Sequence, residues 1–278
     1  MSSSASWIFT STPSPGVLLV ELNRPKVNAF STALFLALRS AFHSASDDPA
    51  VRCVVLSSAL DKGLTAGLDL TDDTLHRTST DPARTALLIR DYMALLQSCV
   101  SALQECTKPV IAAVHGLCLG AGIDLMSACD VRYCASNSVF SIKEVDIGLA
   151  ADIGSLQRLP KTTANASLLY ELALTARNFS PAEAVTLGLV SRVVEGEREG
   201  VVGAAVETAK VIASKSPVAV LSTKHLLNYS REHTVRDGLE YTQAWNMGMI
   251  QTSDVSKAFE AFTTKKQPVF DPLGKAKL

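Results

Sequence analysis

The chain has 278 residues, of which 47% are hydrophobic and 19% are charged. Its formal net charge is −1, so it lacks the excess of positive charge that nucleic acids or anionic membrane surfaces attract. A chain of this length and apolar content can bury one large core, which predicts an α/β domain with an appendage. Six cysteines lie mostly in apolar runs, without a CxxC pair or a histidine at ligand spacing. This pattern is typical of reduced core residues in an intracellular protein and predicts no metal site.

We expect neither a membrane-spanning segment nor an N-terminal targeting segment. No apolar run approaches transmembrane length, and the N-terminus lacks both a signal-peptide core and the arginine pattern of a mitochondrial presequence. The other end is more informative, because Ala276-Lys277-Leu278 differs by one residue from the Ser-Lys-Leu peroxisomal address. A chance match in a lysine-rich tail is the alternative.

The first half of the chain predicts alternating strands and helices. Its elements are a strand over 17–22, a helix over 31–46, a strand over 51–57 and an amphipathic helix over 83–106. Residues 1–15 are rich in serine, threonine and proline and predict an irregular lead into the first strand. Ser31 is a candidate N-cap, and residues 72–82 predict a polar loop. Leu87 and Leu88 are among the residues of the long helix that we expect to face the core.

The stretch 108–158 holds most of the functional information. Residues 109–114 form a β-branched apolar run entered through a proline, which is typical of a buried strand. A turn with three glycines follows, and residues 123–129 then predict the start of a helix. The free N–H groups at such a helix start, near Ala121 and Gly122, can hold an oxyanion.

Three acids lie in this otherwise apolar stretch. Asp124, Glu144 and Asp152 are surrounded by alanine, isoleucine, valine, leucine and glycine, although desolvating a carboxylate is costly. Each acid alone has a structural interpretation, because Asp152 could cap the next helix and Glu144 could pair with Lys143 or Arg158. The three together favour a functional site. If these acids lie close together in apolar surroundings, their pKa values should be shifted and coupled.

The segment HGLCLGAGIDLMSACDVRYC, followed by FSIKEVDIGLAADIGSLQRLP, closely resembles the crotonase (enoyl-CoA hydratase/isomerase) superfamily, and within it the dienoyl-CoA isomerases. The resemblance covers nearly the whole chain and includes the Asn23-Arg24-Pro25 turn after the first strand. It implies an α/β spiral of ββα units over 1–200, which holds an acyl-CoA site. The helices predicted over 201–214, 217–228, 233–249 and 253–263 then belong to a C-terminal region, 201–278, that packs as trimers, commonly two to a hexamer.

The resemblance also implies the site residues. The backbone N–H groups of Leu68 and Ala121 form the oxyanion hole, although the family usually has glycine in place of Ala121. The remaining contacts to substrate or CoA come from Ala66, Gly67, Gly120 and Gly122, with Ala66 beside the adenine pocket. The spacing of the three acids matches the dienoyl-CoA isomerases residue by residue.

The implied reaction is a double-bond shift that needs no metal or redox cofactor. Glu144 removes a C2 proton from a fatty 3,5-dienoyl-CoA, and Asp152 protonates C6 to give the 2,4-dienoyl-CoA, while Asp124 assists by electrostatics and hydrogen bonding. With this resemblance, the tail at 276–278 favours a peroxisomal location and recognition by the peroxisomal import receptor.

Several alternatives remain open at this point. A 2-enoyl-CoA hydratase or a Δ3-Δ2-enoyl-CoA isomerase shares the scaffold, but hydratases typically have glycine in place of Asp152. A non-catalytic CoA-binding or RNA-binding member of the superfamily is a third possibility, opposed by the acid trio and by the near-neutral charge. His115 precedes the glycine turn and is predicted to be a hydrogen-bonded core histidine. Lys265 and Lys266 are predicted to be solvated.

Overall fold

The structure is a computed structural model that describes residues 7–72 and 79–274. The strands in these ranges are β1 Ile8–Ser14, β2 Val17–Leu22, β3 Cys53–Ser58, β4 Gly63–Thr65, β5 Val110–Val114, β6 Leu117–Leu119, β7 Val131–Ala135, β8 Val139–Ser141 and β9 Arg192–Val194. The α-helices are α1 Thr32–Asp47, α2 Pro82–Glu105, α3 Ala121–Ala128, α4 Ser155–Thr162, α5 Ala166–Thr175, α6 Pro181–Leu187, α7 Arg198–Ala213, α8 Pro217–Ser230, α9 Val235–Met249 and α10 Ser253–Thr264. A 3₁₀ helix spans Glu144–Ile147.

The strands form two sheets that the chain visits in turn. A six-stranded sheet has the order β1-β2-β3-β5-β7-β9, and a three-stranded sheet has the order β4-β6-β8. All neighbouring strands are parallel except β1 and β2. Strands β3, β5 and β7 of the large sheet are each followed directly by a strand of the small sheet. This repeated step confirms the predicted α/β spiral of ββα units.

The large sheet carries a hydrophobic core on each face. Successive side chains of a strand point to opposite faces, so Val54 and Leu56 of β3 join the core shared with α1, α2 and α3, whereas Cys53 and Val55 join the core under α7. Helix α7 therefore packs on the sheet, and the predicted domain boundary at residue 200 falls inside this helix. The four C-terminal helices begin and end within a few residues of the predicted positions.

Two predictions about local structure were wrong, and two short strands were not predicted. Residues 8–14 are not an irregular lead but form the edge strand β1, which pairs with β2. Most of its side chains are exposed, so hydrophobicity gives no sign of it. Strands β4 and β6 have three residues each and lie beside glycines, which conceals them in the sequence. In α2, Leu87 and Leu88 are 51% and 42% exposed, because the buried face of this helix begins only at Tyr92.

Helix α2 is also, among the residues that the structure describes, one segment that is long and apolar enough to cross a membrane by length and composition. The expectation of no such run therefore has one exception. A core helix of a folded domain passes the same test, and Leu96, Cys99 and Leu103 of α2 are buried in the core beside α1. The central Arg90 and Asp91 are exposed. The length and composition of α2 are therefore only weak evidence for a membrane span.

Candidate active site

The first wall of the site is the turn between β6 and α3. Gly120 has a φ of +51°, a conformation that side chains disfavour, and α3 begins at the next residue, Ala121. The N–H of Ala121 belongs to the first turn of the helix and makes no hydrogen bond within the described part of the chain. Gly122 packs tightly, because a Cβ atom there would lie 2.8 Å from Thr65 Cγ2. The turn therefore presents an unpaired donor on a fixed backbone.

The second wall is the loop that follows β4. The N–H of Phe30 donates to Gly67 O at 2.8 Å, and the N–H of Asp69 donates to Phe30 O at 3.0 Å. In this parallel bridge the intervening N–H of Leu68 points the other way, and no residue in the described ranges accepts from it. Arg24 holds the loop from outside through a 2.6 Å ion pair with Asp69. Ala66 lies in the same loop and is half-buried.

The two walls meet at their glycines. A Cβ atom at Gly67 would lie 3.1 Å from Leu119 O and 3.8 Å from Gly120 Cα. Each glycine directly precedes one of the predicted donors, Leu68 and Ala121. The structure therefore brings together two turns that are far apart in the sequence.

Glu144 lies beside this meeting point. A Cβ atom at Gly120 would lie 3.1 Å from Glu144 Oε1. The other oxygen of Glu144, Oε2, is buried without a hydrogen-bond partner in the described residues. Burial, followed by the charges of Asp124 and Asp152, raises the pKa of Glu144 to about 7. Such a carboxylate can accept a proton near neutral pH.

Glu144 also lines a mostly apolar cavity of about 390 Å³. The cavity walls include Val145 of the 3₁₀ helix, Leu156 of α4 and Leu169, Tyr170 and Leu174 of α5. A cavity of this size and polarity suits part of a small organic ligand with an apolar chain. Its position beside Glu144 places apolar ligand atoms within reach of the carboxylate.

Asp124 is fully buried on α3. Its Oδ1 atom accepts two hydrogen bonds from Ser155, one from the backbone N–H and one from the hydroxyl, each 2.6 Å long. Its Oδ2 atom has no partner in the described ranges. Burial raises the pKa of Asp124 to about 6, although the bonds from Ser155 oppose the shift.

Asp152 lies on the loop before α4 and is more exposed than the other two acids. Partial burial raises its pKa. The Nε2 atom of Gln97 donates to its backbone oxygen at 2.7 Å and so holds the loop against α2. Its charge contributes to the raised pKa values of Asp124 and Glu144, and the charge of Asp124 also raises the pKa of Glu144.

The sequence profile of the enoyl-CoA hydratase/isomerase family matches residues 12–272 of the chain. The chain belongs to this family. It is 48% identical over 255 residues to the human mitochondrial Delta(3,5)-Delta(2,4)-dienoyl-CoA isomerase, with 90% of this chain and 77% of the relative covered. It is 41% identical over 257 residues to the peroxisomal Delta(3,5)-Delta(2,4)-dienoyl-CoA isomerase of Arabidopsis thaliana, with 91% of each chain covered.

Solved structures of the family share the fold. The enoyl-CoA hydratase of Bacillus anthracis superposes with a TM-score of 0.85 at 28% identity, covering 95% of this chain and 99% of that structure. The enoyl-CoA hydratase of Mycobacterium tuberculosis gives a TM-score of 0.81 at 26% identity, covering 96% of this chain and 99% of the other. The similarity thus spans the helices after the sheet as well as the spiral.

The structural interpretations of the acids do not hold in this family member. Helix α4 begins at Ser155 with Gly154 as its N-cap, so Asp152 does not cap it. Lys143 pairs with Asp146 at 2.8 Å. Arg158 donates to Gln104 Oε1 and Ser101 Oγ instead of Glu144. Glu144 therefore forms no ion pair within the described residues.

His115 is a buried core histidine, as predicted. Its Nε2 atom donates to Leu60 O at 2.9 Å, and burial lowers its pKa, which favours the neutral ring. Sequence reasoning missed Ser155 and Gln97 and gave Arg158 the wrong partner, although these residues hold the loop around the acids. Their contacts join separate turns of the spiral, so no local pattern predicts them.

Proposed function

We propose that the chain is a dienoyl-CoA isomerase that converts 3,5-dienoyl-CoA to 2,4-dienoyl-CoA in the oxidation of unsaturated fatty acids. The observation that carries this proposal is the 48% identity to the human Delta(3,5)-Delta(2,4)-dienoyl-CoA isomerase over 90% of the chain. Asp152, where hydratases typically have glycine, supports the isomerase over the hydratase.

The thioester oxygen is held by the N–H groups of Leu68 and Ala121. Both N–H groups lack partners in the described residues, and their turns meet at Gly67 and Gly120. Backbone donors of this kind are in position before charge develops on the oxygen, so they stabilise the enolate without reorganisation. The backbone around Ala66 and Gly122 supplies further contacts to the CoA part of the substrate.

Glu144 is the base that removes the C2 proton. Its Oε2 atom, which has no partner in the described residues, and its pKa of about 7 suit proton abstraction near neutral pH. The electron pair of the broken C2–H bond spreads over the thioester oxygen and the diene. Asp152 acts in its protonated form, which its raised pKa favours. It donates this proton to C6, which forms the new C–H bond and leaves the 2,4-diene.

The catalytic cycle closes by proton exchange with water, because Glu144 has gained one proton and Asp152 has lost one. Asp124 supports the site through its charge and its hydrogen bonds. The reaction changes no oxidation state and moves only protons, so the mechanism requires no redox cofactor and no metal.

Peroxisomal location and a homotrimeric or homohexameric assembly are part of the same proposal. The tail at 276–278, which would bind the peroxisomal import receptor, lies outside the described residues. The Arabidopsis relative is named as peroxisomal, whereas the human relative is named as mitochondrial. A fluorescent fusion with and without the last three residues tests the location, and light scattering tests the assembly.

The reaction is tested by mixing the purified protein with a 3,5-dienoyl-CoA, a 2-enoyl-CoA and a 3-enoyl-CoA in parallel assays. We expect the absorbance of the conjugated 2,4-dienoyl thioester to rise rapidly with the first substrate. Water addition to the 2-enoyl-CoA alone would establish the hydratase instead.

A further inference from the structure

Ser155 makes contacts that the proposed mechanism does not use. Its N–H and its hydroxyl both donate to Asp124 Oδ1, each at 2.6 Å, and both side chains are fully buried. Rotation of the Asp124 carboxylate would break both bonds at once. These two bonds therefore fix the orientation of the buried acid and leave Oδ2 as its open oxygen.

The same contact caps the N-terminus of α4. The N–H of Ser155 is one of the first-turn amides that have no acceptor inside the helix. Asp124 supplies that acceptor from α3, and the positive end of the helix dipole in turn favours the ionised carboxylate. Asp124 is thus the cap of a helix from another turn of the spiral.

Ser155 also anchors the loop that carries Asp152. That loop is held from α2 by the 2.7 Å bond from Gln97 to the backbone oxygen of Asp152. Ser155 holds its other end through Asp124. Ser155 therefore links the position of Asp124 to that of the loop that carries Asp152.

The neighbouring Gly154 and Arg158 strengthen this arrangement. Gly154 has a φ of +146°, and a Cβ atom there would lie 1.8 Å from Arg158 Nη1, so Arg158 packs directly on the glycine. Gln104 and Ser101 hold the guanidinium group in place. Its positive charge favours the ionised form of Asp124.

The charged and titratable groups around the pair come from several elements. Asp124 faces Asp152 and Arg158 from the α4 region, and Cys118 of β6. Glu144 faces Asp124 and Asp152, and Tyr170 of α5 lines the same cavity. Ser155 is the hydrogen-bonding partner of Asp124, whereas the Oε2 atom of Glu144 has none in the described residues.

We propose that Ser155 is a positioning residue for the isomerisation. It holds Asp124 ionised and orients the loop that carries Asp152, so that Glu144 is the carboxylate that takes the substrate proton. This inference rests on the proposed function. In Ser155→Ala the backbone bond remains and only the hydroxyl donor is lost. Ser155→Thr keeps the hydroxyl and serves as the conservative variant.

The kinetic test measures kcat and KM for these variants across pH. A hydrogen bond to a charged group is strong enough that its loss should lower kcat of Ser155→Ala about tenfold, with little change in KM. The acid limb of the kcat/KM profile should move to higher pH. Asp124 loses a hydrogen-bond donor in this variant, so it binds its proton more tightly and is ionised only at higher pH. Ser155→Thr should restore both values.

The matched control is Ser127→Ala. Ser127 is also buried, but its hydroxyl donates to the backbone oxygen of Asp124 at 2.7 Å and not to the carboxylate. This variant should lose stability without a shift of the acid limb. Loss of thermal stability in Ser155→Ala with wild-type kcat and pH profile would overturn the proposal.

A second measurement does not depend on activity. The ¹³C-carboxyl signals of aspartates are titrated by NMR in the unliganded protein, and Asp124→Asn identifies the Asp124 signal. We expect a higher titration midpoint for Asp124 in Ser155→Ala than in wild type, Ser155→Thr or Ser127→Ala. If Ser155→Ala does not fold, Ser155→Cys keeps the volume with a weaker donor and should show the same direction.

The two proposals fail separately. A wild-type protein that does not isomerise 3,5-dienoyl-CoA overturns the proposed function. An Asp124 midpoint that Ser155→Ala or Ser155→Cys leaves unchanged overturns the role of Ser155, whatever the reaction is.

Discussion

Gly120 and Glu144 lie so close that a Cβ atom at Gly120 would be 3.1 Å from Glu144 Oε1. In Gly120→Ala the new methyl group should displace the carboxylate and strain the turn that presents the N–H of Ala121, since φ is +51°. Small displacements of reacting groups are costly, so we expect kcat/KM to fall about a hundredfold. Steady-state kinetics with 3,5-dienoyl-CoA measure this.

The control for backbone strain is Gly196→Ala. Gly196 has a φ of +96° and no atom within 4 Å of an added Cβ. This variant should lose about 1 kcal/mol of unfolding free energy and keep its activity. Equal activity losses in both variants would mean that strain, and not the contact with Glu144, explains the effect.

Glu144 should also make the stability of the protein depend on pH. Its pKa is raised from 4.5 to about 7 in the folded state, so the folded protein binds a proton that the unfolded chain releases. The resulting stability is fully present below about pH 4.5 and is lost as the pH rises through about 7. Glu144→Gln does not titrate and should be more stable than wild type at pH 8.

We expect the advantage of Glu144→Gln to be about 2 kcal/mol at pH 8, less than the full pKa shift would give because the side chain is partly exposed. At pH 5 the advantage should be about a quarter of that at pH 8. Urea unfolding at both pH values measures the difference. Glu240→Gln, which breaks an exposed ion pair with Arg236, is the control for replacing a glutamate and should change the unfolding free energy by less than about 0.5 kcal/mol. An advantage of equal size at both pH values would contradict the prediction.

Much of the fold could be predicted from the sequence, because its elements have strong local signals. Ser31 caps α1 through the N–H of Leu34, and the buried residues of α1 follow helical spacing. The edge strand β1 escaped prediction because its partner is β2 and its side chains are mostly exposed. Leu87 was misplaced because periodicity identifies the apolar face of a helix but not how far the core extends along it.

The candidate site, too, could be predicted only in part. The sequence shows the three acids in an apolar stretch, and the resemblance to a family implies their roles. The bond between Asp124 and Ser155 is not visible, since it joins two helices whose packing depends on the whole spiral. The partners that hold a catalytic group are therefore the part that needed the structure.

Asp152→Asn should separate the two proton transfers. The amide cannot donate a proton as an acid, so formation of 2,4-dienoyl-CoA should fall below detection. Glu144 is retained, so exchange of the C2 proton with deuterium from the solvent should continue. NMR of the substrate in D₂O follows the exchange, and absorbance follows the product.

Asp146→Asn is the control for this change. Asp146 lies on the same stretch, but it pairs with Lys143 at 2.8 Å on the surface. The Asp146→Asn variant should therefore retain both exchange of the C2 proton and turnover. Normal turnover of Asp152→Asn would remove Asp152 from the mechanism.

The ion pair of Arg24 and Asp69 should matter for catalysis as well as for stability. Arg24 also donates to Ala29 O at 2.5 Å, and hydrogen bonds from Thr71 and Arg24 lower the pKa of Asp69. In Arg24→Ala the loop before Asp69 should loosen, and with it the N–H of Leu68. We expect a several-fold lower kcat and a loss of about 1 to 2 kcal/mol in unfolding free energy.

The comparison for this pair is Arg236→Ala, which breaks the exposed ion pair with Glu240. Exposed pairs contribute little, so its unfolding free energy should change by less than about 0.5 kcal/mol. A wild-type kcat in Arg24→Ala would show that the loop keeps its geometry without the pair.

The N–H donors of Leu68 and Ala121, which have no acceptor in the described residues, belong to the backbone, whereas the proposed base and acid, Glu144 and Asp152, are side chains on later segments of the chain. In the proposed mechanism, polarisation of the thioester therefore depends on backbone groups, whereas the route of the protons depends on two side chains. A library that varies only residue 152 would change where the proton is delivered, while Glu144 would still form the enolate. Laboratory evolution toward a different double-bond shift could therefore begin at this one position, with the rest of the chain held constant.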